Sequence, residues 1–193
     1  MKKEIHLSIL LLAAGGSTRY GSPKQLLPFR GKPLIRHLTE VALQSKASDT
    51  YVVLGAEAKK ISQELSGLPV RLIVNEEWQE GIGSSLRAGV QALPKTTEAA
   101  LIMLGDQPLV TSAHLNSIIE AHQSTGKPIV ASAYSGTLGV PVIFARRFFP
   151  ELQRLSGDTG AKQIIQNHSG EVAGIPFPDG VVDIDTPRDL QHL

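Results

Sequence analysis

The chain has no cysteine among its 193 residues, which excludes thiol nucleophiles, iron–sulfur clusters, cysteine-ligated zinc and a disulfide staple. It does not need such a staple, because a chain of this length buries roughly 70% of the surface that its unfolded form exposes. Long apolar runs are also missing. Nothing approaches the ~18 consecutive apolar residues that span a membrane, so no membrane partner is expected and a cytoplasmic location is. Charge of one sign is scarce, with 19 Lys and Arg against 18 Asp and Glu. A net charge of +1 lacks the global field of a general nucleic-acid binder, so any anion site must be local. Aromatic residues make up 5% of the chain, too few for a single-strand stacking platform. The six histidines include no pair at helix spacing that would hold a metal. What is present is an ordinary globular composition, 41% hydrophobic and 19% charged, and one domain over 1–193 is the expectation.

Met1-Lys2-Lys3 followed by the apolar Leu7 to Ala14 has the outline of a secretory signal peptide. The run is short, Glu4 and His6 interrupt its approach, and it reads better as a buried strand entering a glycine-rich turn. Further strands are predicted at Tyr51 to Leu54, Val70 to Val74, Ala99 to Leu104, Ile129 to Ala133 and Val140 to Phe144, with a last one near Gly180 to Ile184. Between them, helical periods run through Pro33 to Ser45, Ala56 to Leu65, Ser84 to Leu93, Ser112 to His122 and Thr159 to His168, then Pro187 to Leu193. The early strands are apolar on both faces, as a sheet covered by helices on both sides requires. This is a doubly wound α/β pattern. Around Ser135-Gly136 two strands follow each other directly, which predicts an antiparallel addition and a mixed sheet.

Five segments carry candidate chemistry. In the loop after the first strand, glycines admit a phosphate close to backbone amides, and Arg19 and Lys24 add charge. It is not a P-loop, because Gly16 and Gly21 are followed by Ser22 rather than Lys; nor is it a dinucleotide loop, because Gly15-Gly16-Ser17 lacks Gly-x-Gly. Ser17 to Thr39 holds five cations and no acid, a concentration that favours a polyphosphate over a merely solvated basic face. Asp106, at the carboxyl end of an apolar strand, suits Mg²⁺ held against a substrate phosphate, although a turn Asp before Pro108 explains it as well. In Asp183-Ile184-Asp185-Thr186-Pro187, Thr186 and Pro187 read as a helix start, leaving Asp183 and Asp185 as a second metal contact. Gly81 to Gly89 is a glycine-relieved turn capped by Ser84, whose amides either meet a ligand or simply start a helix. Gly157-Asp158-Thr159-Gly160 reads as another capped helix start.

Leu12-Ala13-Ala14-Gly15-x-Ser17-x-Arg19-x-Gly21-x-x-Lys24, continuing into Leu27-Pro28-Phe29 and Gly31-Lys32-Pro33-Leu34, resembles the nucleotidyltransferases that join NTPs to phosphorylated acceptors. With Gly83-Ser84-Ser85-Leu86-Arg87-Ala88-Gly89, Gly105-Asp106-Gln107-Pro108 and Asp183-Ile184-Asp185-Thr186-Pro187, it is similar to the molybdenum cofactor cytidylyltransferases, relatives of the molybdopterin guanylyltransferases. The resemblance implies a three-layer, Rossmann-like (GT-A-like) fold. It also implies transfer of CMP from CTP to the terminal phosphate of molybdopterin, dependence on Mg²⁺, and a client molybdoenzyme. It places Ala13, Ala14, Gly15, Gly16 and Ser17 along the nucleoside, with Ser84 and Ser85 near the base. Arg19 and Lys24 fall on the triphosphate, and Asp106 on the metal together with Asp185 or Asp183. Guanylyl relatives usually read Ala-Gly-Gly where this chain has Ala13-Ala14-Gly15, the cytidylyl spelling. Tyr20 stands where Met is usual, and Val140 where many relatives carry His before Pro141; both bear on the acceptor more than on the reaction. Two other readings stand beside this one: a cytidylyl or uridylyl transferase acting on a sugar or polyol phosphate, and a non-catalytic accessory protein that carries nucleotide or cofactor.

Overall fold

The structure is a computed structural model and describes residues 5–16 and 23–183. The chain enters through β1 (Leu7–Ala13), makes a 3₁₀ turn at Lys24–Leu26, and forms a small antiparallel ribbon from β2 (Pro28–Phe29) and β3 (Lys32–Pro33). Then follow α1 (Leu34–Leu43), β4 (Asp49–Leu54), α2 (Ala58–Glu64), β5 (Arg71–Val74), α3 (Ile82–Ala92), β6 (Ala99–Leu104) and α4 (Ser112–Thr125). The last part comprises β7 (Ile129–Tyr134), β8 (Thr137–Ala145), α5 (Phe149–Leu152), α6 (Ala161–Asn167) and β9 (Val172–Pro176).

Seven strands form one sheet in the order β5-β4-β1-β6-β8-β7-β9. All run parallel except β8, which pairs antiparallel with both β6 and β7. The predicted hairpin turns at Ser135 (φ 47°) and Gly136 (φ 70°), the left-handed pair that a tight two-residue turn requires. Strand β1 explains the central apolar run: Leu7, Ile9, Leu11 and Ala13 enter the core on one face, while Leu10 and Leu12 enter the core on the other. One core packs under α1, α2 and α4, the other under α3, α5 and α6. Ser8, fully buried inside β1, meets the Thr97 hydroxyl at 3.3 Å, so its polar group is satisfied.

Three expectations are corrected. The last strand lies at Val172–Pro176, not near Gly180 to Ile184; Pro178–Val181 is a 3₁₀ turn. Gly174 and Pro176 mask the strand signal in sequence, and both are tolerated because β9 is an edge strand. Strand β5 is not covered on both faces: it forms the opposite edge, with Leu72 and Val74 exposed. The helices predicted at Ser84 and Thr159 begin instead at Ile82 and Ala161, behind Gly81 and Gly160, with no side-chain cap. The helix read at Pro187 to Leu193 lies outside the described residues. Among the described residues, no helix is long and apolar enough to cross a membrane.

Candidate active site

Because β1, β4, β6, β7 and β9 run the same way, their carboxyl ends share one edge of the sheet, where ligands of open α/β sheets collect. A cleft of about 470 Å³ opens there. One wall is the backbone of Ala13, Ala14, Gly15 and Gly16 leaving β1, with Lys24 and Gln25 of the 3₁₀ turn. The other is the start of α3, with Gly81, Ile82 and Ser85; Gly105 and Asp106, which follow β6, and Trp78 and Asp158 also line it. The α3 N-terminus presents the positive end of an eleven-residue helix, a favourable setting for an anion.

Lys24 and Asp106 face each other here, although they are 82 positions apart in sequence. Lys24 Nζ donates to Asp106 Oδ2 at 3.3 Å, with both side chains largely withdrawn from solvent. The second oxygen, Asp106 Oδ1, is buried and has no hydrogen-bond partner among the described residues. The predicted Asp183 comes to the same end of the sheet: both it and Asp106 act electrostatically on the Tyr134 phenol. Burial foremost, then Asp183, pushes that phenol's pKa up, against hydrogen bonds from the Gln107 side chain and the Val140 backbone; Asp106 adds to the rise. Arg19, Ser17 and Asp185 lie outside the described residues.

The two serines of α3 part company. Ser84 is neither the helix cap nor a wall of the cleft: its hydroxyl is shared between the carbonyls of Glu77 and Gly81, each at 2.9 Å, and accepts from Asn75 Nδ2 at 2.9 Å. Ser85 lines the cleft and accepts from the same amide at 3.1 Å. The segment read as a mere helix start at Gly157 docks on the beginning of α3, where Gly83 N–H donates to Gly157 O at 3.0 Å. That contact brings Asp158 to the cleft. A Cβ on Gly81 would sit 2.4 Å from Gly157 O, so this glycine is what permits the approach.

Several residues at this edge were not singled out from sequence. Trp78 lies over two glycines: a Cβ would meet its side chain at 2.8 Å from Gly16 and at 2.5 Å from Gly55. Gln25 donates to two carbonyls of the β1 exit, Ala13 O at 3.0 Å and Gly15 O at 2.9 Å. Gln107, 3% exposed, donates to Gly180 O at 3.3 Å. The spacing pattern of a sequence carries no signal for such contacts, each of which joins separate elements.

A lysine–carboxylate pair, a strand-exit backbone and a helix N-terminus around one cleft define the class: an α/β protein with an anion-ready site at the carboxyl edge of its sheet. The chain belongs to the MobA-like NTP transferase domain family, whose model matches residues 9–172, and the fold is the α/β nucleotidyltransferase fold. It is 31% identical to nicotine blue oxidoreductase of Paenarthrobacter nicotinovorans, over 95% of this chain and 94% of that protein. It is 28% identical to the purine catabolism protein PucB of Bacillus subtilis, with the same coverage. The crystal structure of Rv0371c from Mycobacterium tuberculosis superposes with a TM-score of 0.86, at 30% identity and 97% coverage of both chains. A manganese complex of that protein superposes at 0.82, with 29% identity and 97% coverage of both chains.

Proposed function

We propose that this single NTP transferase domain moves CMP from CTP to the terminal phosphate of molybdopterin or the molybdenum cofactor, releasing pyrophosphate. The observation that carries the reading is the Lys24–Asp106 pair at the end of the β1-exit cleft, opposite a helix N-terminus. The donor set fits a hard divalent ion: Asp106 Oδ1, which has no hydrogen-bond partner among the described residues, is a carboxylate oxygen, and Asp183 or Asp185 supplies a second acid. Among the described residues no cluster of three or more metal-ligating side chains forms; Mg²⁺ characteristically takes one or two carboxylates and completes its shell with water and phosphate oxygens. When bound there, Mg²⁺ would neutralise developing phosphate charge. The existence of a manganese complex of the mycobacterial relative supports dependence on a divalent ion.

In the reaction, an acceptor phosphate oxygen bonds to the α-phosphorus of CTP. The bond from that phosphorus to the bridging oxygen breaks, and the electron pair departs with pyrophosphate. No protein nucleophile is needed. Lys24 and Arg19 hold the triphosphate; the backbone from Ala13 to Gly16, with Ser17 and Ser85, aligns the nucleoside, and Asp106 fixes the metal end. Positioning and charge neutralisation supply the catalysis.

The test is thermal unfolding with Mg²⁺ and each of CTP, GTP, UTP and ATP, followed by pyrophosphate release with molybdopterin and with sugar or polyol phosphates. A ligand at about 100 times its Kd stabilises by ~2.7 kcal/mol, which moves the midpoint by several degrees. A shift confined to CTP, with turnover on molybdopterin, is expected; binding without release on any acceptor would favour the accessory role. NADH and NADPH belong in the same series because one relative is named for a redox activity. A shift with either of these and with no NTP would overturn the proposal.

A further inference from the structure

We infer that Gln25 is a positioning residue that locks the β1 exit and Lys24 together as one nucleotide-holding unit; this rests on the nucleotidyl-transfer reading above. Gln25 is 5% exposed. Its Nε2 donates to Ala13 O at 3.0 Å and Gly15 O at 2.9 Å. Both partners can only accept, so the amide has one possible orientation and Oε1 must face away from them. That oxygen is buried and has no hydrogen-bond partner among the described residues. Leaving a buried acceptor unpaired is costly, and the two hydrogen bonds at the other end of the amide are what this side chain contributes in return.

The bridge acts in two directions. On one side it shapes a wall of the cleft: β1 pairs with its neighbours only as far as Ala13, and Gln25 holds the carbonyls of Ala13 and Gly15 on either side of Ala14, whose own carbonyl accepts from Ala56 N–H at 3.0 Å. On the other side, Gln25 belongs to the same three-residue 3₁₀ turn as Lys24. That turn is tight, with Leu26 N–H donating to Pro23 O at 3.0 Å and Leu27 N–H to Lys24 O at 3.1 Å. Tying Gln25 to β1 therefore ties down the backbone from which Lys24 reaches Asp106 at the end of β6, the strand beside β1. The path from β1 through Gln25, Lys24, Asp106 and β6 back to β1 is a closed ring. A flexible lysine charge is preorganised in this way.

The experiment is isothermal calorimetry of CTP with Mg²⁺ on the wild type, Q25M, K24A and the double variant, with circular-dichroism melts to confirm folding. Methionine keeps the volume and removes both donors. The expected result is a CTP Kd raised about tenfold or more in Q25M, with a clearly smaller further loss when Q25M is added to K24A, because residues acting partly through one group are not additive. Q25E, which sets a carboxylate against two carbonyls, should bind at least as weakly as Q25M. Should Q25M fail to fold, Q25N, one methylene too short to bridge, should show the same loss. A Q25M Kd within twofold of wild type would overturn the inference. So would a loss that is undiminished in the K24A background, which is the signature of a packing role. If the wild type bound no NTP, the nucleotidyl reading would fall and the inference with it; wild-type binding with an unchanged Q25M removes the inference alone.

Discussion

At the residue scale the site depends on charge placed where little solvent reaches it. Asp106→Ala removes the carboxylate whose Oδ1 has no hydrogen-bond partner among the described residues and whose Oδ2 meets Lys24. We expect it to abolish pyrophosphate release with a melting midpoint within a few degrees of wild type; a folded, active Asp106→Ala protein would sink the metal assignment. Lys24→Ala should keep the fold and lose about 10²- to 10³-fold in turnover, the usual effect of removing one preorganised charge donor. Gly55 illustrates a different constraint. A Cβ there would lie 2.6 Å from the Ala14 carbonyl and 2.5 Å from Trp78 Cβ, and neither atom can yield freely. Gly55→Ala should cost about 1–3 kcal/mol, measurable by urea unfolding, and should weaken nucleotide binding because Ala14 and Trp78 both line the cleft.

At the element scale, the start of α3 does two jobs with adjacent hydroxyls. Ser84→Ala would strip the buried Asn75 amide of one partner and leave the carbonyls of Glu77 and Gly81 without its donor. A stability loss of about 1–3 kcal/mol with little change in CTP affinity is expected. Ser85→Ala should show the reverse, with a weaker CTP Kd and a small change in midpoint; calorimetry paired with melts separates the two. The β7–β8 hairpin was legible because Ser135-Gly136 is a turn pair between apolar runs. Strand β9 was not, since a five-residue edge strand containing Gly174 and ending in Pro176 is held by its register against β7, not by its own propensity. The cap read at Ser84 failed for a related reason. Gly81 at φ 105° starts the helix earlier, because the chain must clear the docked Gly157 loop.

At the scale of the whole molecule, one buried histidine couples stability to pH. His114 on α4 stacks on Phe177 at 4.1 Å and meets Ser132 Oγ of β7 at 2.8 Å. Burial lowers its pKa from 6.5 to about 4, so the folded state holds it neutral where the unfolded chain would bind a proton. The contribution is fully present above pH ~6.5 and is lost progressively as pH falls toward about 4, reaching about 2 kcal/mol at pH 5. Urea unfolding at pH 7.5 and pH 5 should show that loss in the wild type, and His114→Gln, which does not titrate there, should show a flatter dependence.

The order of elements, the two-sided burial of the central strands and the candidacy of the β1 exit, Lys24 and Asp106 were determined by the sequence itself. Each is a local property: a period, a run of apolar residues, or glycines beside charge at a strand end. Only the tertiary structure decided that Lys24 and Asp106 form a pair, that Gln25 rather than another polar residue holds the β1 exit, and that Ser85 faces the cleft while Ser84 is consumed by Asn75 and two carbonyls. These are contacts between elements separated by up to 82 positions. They depend on which strands lie side by side and on which way each side chain points once the sheet is assembled, and no local pattern encodes that.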